Sequence, residues 1–282
     1  MSWEEHRSWH LMRPLVYYLR EDLITPAWVS GRDVLDFSAG LGDLSDYVLA
    51  KGARSVTATR PEHDGSGSPD GITWLGGVAA GQIASRLGES SFDVAIARMV
   101  FQFPTWEGDR VDPDTMVQEF AHILRPGGRL VLAFHQFVSF EPVPSSGGVP
   151  SVDQMLAGDD RPGLARVIRY LGLPPREGPF GETGFGLKVP MLVTTLQGHG
   201  FEIEVADNPE PFTMPLDLDG RSEHEIVELG RLTMDIKHRY LSDPDQSPYE
   251  RPASVRMMLV ELADLYEFVA WPIVRIVARL GR

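Results

Sequence analysis

Apolar positions in this chain follow two rhythms. Asp33 to Phe37, Ile72 to Leu75 and Phe92 to Ala97 are short, largely apolar runs that read as strands, and Arg54 to Thr59, with Val56 and Ala58 alternating with polar residues, reads as another. The run from Asp33 to Phe37 has the look of a buried parallel strand. Between these runs, Leu44 to Ala50 and the stretch from Asp112 to Leu124 restart at helical spacing, the latter with Asp as N-cap and Pro113 in the first turn. Pro126-Gly127-Gly128 stops that helix, and an apolar strand running to His135 and Gln136 follows at once. Strands alternating with helices predict an α/β fold with a doubly wound, mostly parallel sheet.

The flanking segments read differently. Trp3 to Ile24 has Trp9, Met12, Val16 and Leu19 at helical spacings and is expected to form an amphipathic helix. Phe137 to Lys188 is rich in Pro and Gly, with one short helix expected near Leu164 to Leu171. Met191 to Gln197 reads as a helix and Phe201 to Ala206 alternates as a strand. Pro209 to Pro215 reads as a linker, and Ser222-x-x-Glu225 is a capping box opening a helix from Glu223 to Tyr240. A second helix, from Pro252 towards Phe268, carries Met257, Met258, Leu262, Leu265 and Tyr266 as an apolar stripe. Pro272 to Ala278 fits a last antiparallel strand or a continued helix, and we take it as a strand. These segments suggest a leading helix over 1–28, a core over 29–136 and 189–207, helical caps over 137–188 and 208–270, and a closing strand over 271–282.

Composition narrows the function. At 282 residues the chain can bury a full core. A net charge of −14 argues against a nucleic-acid partner, which needs a basic face to neutralise phosphates. The absence of cysteine removes disulfides, thiolate metal sites and thiol nucleophiles. No apolar run reaches spanning length, and Ser2-Trp3-Glu4-Glu5 does not open a signal peptide, so the expectation is a cytoplasmic protein without a membrane span. His6 and His10 sit at i and i+4, but no HExxH pattern or third ligand accompanies them, and no metal is expected.

The chemistry gathers at Asp36-Phe37-Ser38-Ala39-Gly40-Leu41-Gly42-Asp43, where a strand passes through a glycine turn into a helix. In open α/β sheets ligands lie beyond the carboxyl ends of the strands, and glycines let backbone approach them closely. Asp36 beside the turn would repel a pyrophosphate and welcome a cationic or amino group. This wording resembles motif I of the class I S-adenosylmethionine (SAM) methyltransferases, in which an acid precedes three alternate glycines. Ser38 replaces the first glycine, while Gly40 and Gly42 match the others. Ser91-Phe92-Asp93-Val94, the turn Leu124-Arg125-Pro126-Gly127-Gly128 and, more loosely, Gly198-His199-Gly200-Phe201 are also similar to that family.

The resemblance implies a Rossmann-like, seven-stranded sheet with helical caps from insertions, and SAM as cofactor. It places Asp36, Ser38, Gly40 and Gly42 around the methionine part of SAM. The family's ribose-gripping acid falls at Arg60, with Glu62 two residues on as a substitute. Its Gly-Asp pair at the adenine falls at Gly76-Gly77, followed by Val78. Both usual acids are therefore missing. Arg98 ends its strand where the family faces SAM and substrate, and Tyr17 on the leading helix is a further cofactor contact. Phe103, Gln136 and Tyr18 are expected to meet substrate. His135 is the first choice for a general base and His10 the second, because an imidazole titrates near neutrality; His199 reads as a turn residue.

The resemblance favours methyl transfer from SAM to a small, largely apolar molecule of secondary metabolism, with room for a homodimer. The missing acids keep open a cyclase or pericyclase on the same fold, with SAM structural or absent. Gly40-x-Gly42-x-x-Ser45 and Arg60 leave an NADP-dependent reductase as a weaker alternative, and a non-catalytic scaffold as another.

Overall fold

The computed structural model describes residues 24–37, 39, 42–60, 71–98, 100, 112–135, 138–139, 176–177, 183–185, 189–207, 211–215, 218, 220–241, 251–266 and 268–281. The chain divides into two units. A core unit comprises 20–142, 176–209 and 273–282, and the second comprises 1–19, 143–175 and 210–272.

The core unit starts with a single turn, α1 (Pro26–Val29), then β1 (Asp33–Phe37), α2 (Asp43–Ala50), β2 (Ser55–Arg60) and β3 (Ile72–Gly76). A 3₁₀ turn at Ala80–Gln82 leads into α3 (Ile83–Leu87), followed by β4 (Phe92–Arg98), α4 (Pro113–Ile123) and β5 (Leu124–His135). After β6 (Val138–Ser139), β7 (Arg176–Glu177) and β8 (Thr183–Phe185), the unit continues with α5 (Val189–Gly198) and β9 (Phe201–Asp207). The last strand, β11 (Phe268–Leu280), enters the unit at Ile273. The strands β1 to β4 and the helices α2, α4 and α5 of this unit lie within a residue or two of the expected ones, whereas β5 begins at Leu124, ahead of the Pro-Gly-Gly turn expected to precede it.

Within this unit the sheet runs β3-β2-β1-β4-β5-β11-β9. Its first five strands are parallel, and β11 is antiparallel to both neighbours. This is the seven-stranded, doubly wound Rossmann-like sheet, and Pro272 to Ala278 lies within a strand as expected. Its faces separate cleanly by alternation. Leu35, Phe37, Ala95, Ala97, Leu130 and Leu132 pack with Met116, Val117, Phe120 and Ile123 of α4 and Leu192 and Leu196 of α5. Phe37 and Phe120 meet edge to face, with centroids 5.6 Å apart. Val34, Asp36, Val94 and Ile96 face the other way, the side taken by α2 with buried Leu44 and Val48.

Glycine sets the join between α4 and β5. A Cβ on Gly128 would lie 2.8 Å from the Arg125 carbonyl oxygen and 3.1 Å from that of Asp93. The Pro-Gly-Gly turn is thus an irregularity inside β5, whose pairing with β4 shifts between Phe92↔Leu124 and Val94↔Arg129. At the amino ends of the strands, Asp33 accepts from Arg54, Ser55 and Arg125, and Arg125 also lies 3.0 Å from Asp93. Arg54 first, then Ser55 and Arg125, hold the Asp33 carboxyl well below the usual carboxylate range against the opposing effect of burial.

A small antiparallel sheet, β6-β8-β7, also belongs to the core unit, although its strands fall in the segment expected to form a cap. The short helix expected at Leu164 to Leu171 lies outside the described residues. So does the leading helix, apart from Ile24, which is buried ahead of α1.

The second unit contributes β10 (Pro211–Pro215), α6 (Glu223–Leu241) and α7 (Arg251–Ala263). Three expectations are corrected here. Pro209 to Pro215 is no linker, because Pro211–Pro215 pairs antiparallel with Phe268–Pro272. The second helix ends at Ala263, not near Phe268, and a turn through Asp264 and Leu265 follows. Met257 leaves the apolar stripe and is 58 % exposed, whereas Met258, Leu262 and Tyr266 are buried with Leu229 and Ile236 of α6. The capping box forms as expected: Ser222 N–H donates to Glu225 Oε2 at 2.7 Å, and Glu225 N–H to Ser222 Oγ at 3.3 Å. Among the described residues no helix is long and apolar enough to cross a membrane.

Candidate functional site

The strand order fixes where a ligand can sit. From β1 the sheet grows outward through β2 and β3, then the chain returns to lay β4 on the other side of β1. Connections therefore leave β1 and β4 towards opposite ends of the sheet, opening a crevice beyond their carboxyl ends. Asp36 and Arg98 are the charged residues at those two ends. Asp36 is paired with Ile96, so Arg98, two residues past Ile96, faces the same side one step nearer the edge.

Asp36 is 1 % exposed. Ser45 on α2 donates its hydroxyl to Asp36 Oδ2 at 2.7 Å. The other oxygen, Oδ1, is buried and accepts no hydrogen bond among the described residues. Burial pushes the Asp36 carboxyl up from its ordinary value, while the Arg98 charge and the Ser45 hydrogen bonds act in the opposite direction. Arg98 is itself only 8 % exposed. A buried acceptor with no donor is costly in a finished fold and suited to a ligand that brings one.

The glycine turn beside Asp36 is held at both ends. Ala39 N–H donates to the Thr59 carbonyl at 2.8 Å, tying the loop to the end of β2. Gly42 N–H donates to the Ala39 carbonyl at 3.0 Å, and Asp46 N–H to the Gly42 carbonyl at 2.9 Å. Gly42 has φ of +86° as it enters α2, and a Cβ there would lie 2.6 Å from the Trp74 ring. This glycine is required twice, by backbone conformation and by the indole packed over it.

The other expected site residues are distributed as follows. Ser38, Gly40, Tyr17, Tyr18, His6, His10, Glu62, Phe103 and Gln136 lie outside the described residues. Arg60 ends β2 opposite Gly76, and His135 ends β5 opposite Ile273; only their backbones are described. Gly77 is exposed at φ +63°. Val78 is buried in the apolar cluster, so it can offer a ligand only its backbone. His199, read as a turn residue, places Nε2 2.9 Å from Asp114 Oδ1. The structure thus brings Asp36 and Arg98 together at the ends of β1 and β4, with Gly42 packed under Trp74 at the start of α2.

Ser45 and Trp74 were not singled out for these roles. By sequence Ser45 ends a half-matched dinucleotide fingerprint, whereas in the structure its hydroxyl serves the acid. The available signal was a small hydroxyl in the first turn of α2, directly above the strand that carries Asp36. Trp74 had no local signal, because its partner Gly42 lies on a different element.

Asp36 Oδ1 offers an acceptor for an ammonium group, whereas the space over Gly42 is taken by the Trp74 ring. The positions of Arg60 and Gly77 supply no carboxylate for ribose or adenine. Among the described residues no cluster of His, Asp and Glu could hold a metal.

No family model matches the sequence, and no curated protein does. Solved structures do. An S-adenosylmethionine dependent methyltransferase from Mesorhizobium loti is similar over 89 % of this chain and 92 % of its own, at 15 % identity and a TM-score of 0.48. The 1,6-didemethyltoxoflavin-N1-methyltransferase of Burkholderia thailandensis, solved with S-adenosylhomocysteine, is similar over 99 % and 83 %, at 14 % identity and 0.47. The [4+2]-cyclase SpnF is similar over 90 % and 76 %, at 17 % identity and 0.44.

Proposed function

We propose that this chain is a SAM-dependent methyltransferase acting on a small, largely apolar molecule. The observation that carries the reading is Asp36: a buried carboxylate at the switch point of the sheet, with one oxygen lacking a donor among the described residues, beside a glycine turn. An ammonium group answers that oxygen with a charge-assisted hydrogen bond. A pyrophosphate does not, which disfavours a dinucleotide.

Asp36 would hold the amino group of SAM, Ser45 would fix the carboxylate's orientation, and the turn ending at Gly42 would let backbone approach the ligand. The chemistry supplied by the bound group is an electrophilic methyl on a sulfonium centre. The chain's part is then to align an acceptor and exclude water. His135, at the carboxyl end of β5, would take a proton from an acceptor that must lose one, with His10 as the alternative.

Calorimetric titration with SAM, S-adenosylhomocysteine and NADPH, followed by transfer from methyl-labelled SAM to apolar acceptors, tests this. Adenosyl binding with label on an acceptor supports the reading, and NADPH binding in its place overturns it. The positions of Arg60 and Gly77 favour a second reading, a cyclase on the same fold, because neither supplies the family's acid. SAM binding with no label leaving it, together with conversion of an unsaturated substrate, would favour that reading.

A further inference from the structure

We propose that α6 carries a binding site for an amphipathic carboxylate, an acid group on a hydrocarbon body, in which Thr233 and Lys237 receive the acid. All the residues invoked belong to the second unit, so the site is independent of the adenosyl-site reading.

α6 buries more than an apolar stripe. Leu229, Ile236 and Leu241 pack in a cluster with Met258, Leu262 and Tyr266. Gly230, Thr233 and Lys237 are buried too, and they follow one another at i, i+3 and i+7, one line along the helix.

Each member of that line works against the fold taken by itself. Glycine in a helix interior is less favourable than alanine. Thr233 is 0 % exposed, yet its Oγ1 has no hydrogen-bond partner among the described residues, so its desolvation goes uncompensated. Lys237 is also 0 % exposed, a state lysine rarely adopts. Alanine, valine and methionine would occupy the same three positions without these penalties. A ligand that brings an oxygen acceptor and a negative charge gives the line a use.

The residue types set the chemistry of that ligand. Thr233 and Lys237 are neighbours one turn apart, with about 5–6 Å between Cβ atoms, so the hydroxyl and the long lysine side chain can both reach one carboxylate group. Lys237 has an interaction of its own within the fold, so the Thr233 hydroxyl anchors the acid and the lysine adds positive charge beside it. One turn the other way, Gly230 has no side chain and leaves a notch for the atoms behind the acid. Leu229, Ile236 and Leu241 flank the line, which makes that body a hydrocarbon. A phosphate would bring a second charge and more acceptors than one hydroxyl and one lysine answer.

The test is calorimetry on the full chain with two probes of equal length, decanoate and decanol. The wild type is expected to bind decanoate about tenfold or more tightly than decanol. Thr233→Val should weaken decanoate about three- to tenfold while the melting temperature rises, and Thr233→Ser should hold the affinity within about twofold. Lys237→Met should remove the preference for the acid and leave decanol within about threefold. Equal wild-type affinity for the two probes overturns the site, as does failure of both to bind, and neither outcome needs a variant to fold. A Thr233→Val variant that binds decanoate as tightly as the wild type overturns it too. Decanoate binding with no S-adenosylhomocysteine binding supports this site and counts against the methyl-transfer reading alone.

Discussion

At Asp36 the burial that creates a ligand acceptor also works against the fold. Its carboxyl is pushed above the ordinary value of 3.8, so the folded chain holds that proton more tightly than the unfolded chain. The sign follows: its contribution is fully favourable below the unfolded value and is lost as pH rises through the folded one. Asp36→Asn cannot ionise. Its melting temperature relative to wild type should therefore rise between pH 4 and pH 7.5, while its affinity for S-adenosylhomocysteine falls about tenfold or more. Scanning fluorimetry across that range checks the first part, and a wild-type advantage growing with pH would contradict it. Gly42 gives a second test. Gly42→Ala meets both a left-handed φ and the Trp74 ring, and should cost about 1–3 kcal/mol in urea denaturation. Adding Trp74→Ala should recover the steric share and leave the backbone share, a non-additivity that a remote pair would not show. Asp36 and Gly42 were legible in the sequence because strand, turn and helix are contiguous there. Trp74 and the Ser45 hydrogen bond were not, since each depends on a neighbour supplied by folding.

Among the elements, the departures from expectation share a cause. Proline made 209–215 read as a connection, yet a strand bounded by Pro211 and Pro215 is compatible with pairing whose hydrogen bonds avoid those two nitrogens. α7 was read too long because Leu265 and Tyr266 extend its apolar spacing. Both still pack with the same cluster, but from the turn after the helix has ended. Periodicity reports burial, and burial can outlast the helix that began it. On α6 the buried stripe of Leu229, Thr233, Ile236, Lys237 and Leu241 includes two polar residues. Thr233 Oγ1 is buried with no hydrogen-bond partner among the described residues. Thr233→Val keeps the shape and removes the orphaned hydroxyl, so it should stabilise the protein by about 1 kcal/mol. A loss of stability on denaturation would show that the hydroxyl is satisfied.

For the whole molecule, legibility followed the range of the interactions. Each parallel strand is a contiguous run that buries itself, so five strands and their helices could be placed from the sequence alone. The antiparallel entry of β11 between β5 and β9 joins residues far apart in the chain, and its place in the sheet was not legible, although its residues read as a strand. The same long-range assembly places Asp36, Ser45 and Arg98, from β1, α2 and β4, around one crevice. A ligand held there binds the folded chain alone, so it must raise folded stability by mass action. S-adenosylhomocysteine at a hundred times its dissociation constant should contribute about 2.7 kcal/mol. For a chain of this size that corresponds to a rise in melting temperature of roughly 4–5 °C. Asp36→Asn at the same ligand concentration should show about half of that rise or less, as a tenfold or larger loss of affinity requires, because its site no longer answers the ammonium with a charge. If the variant gains as much as the wild type, the ligand is held without Asp36, and the buried carboxylate needs another explanation.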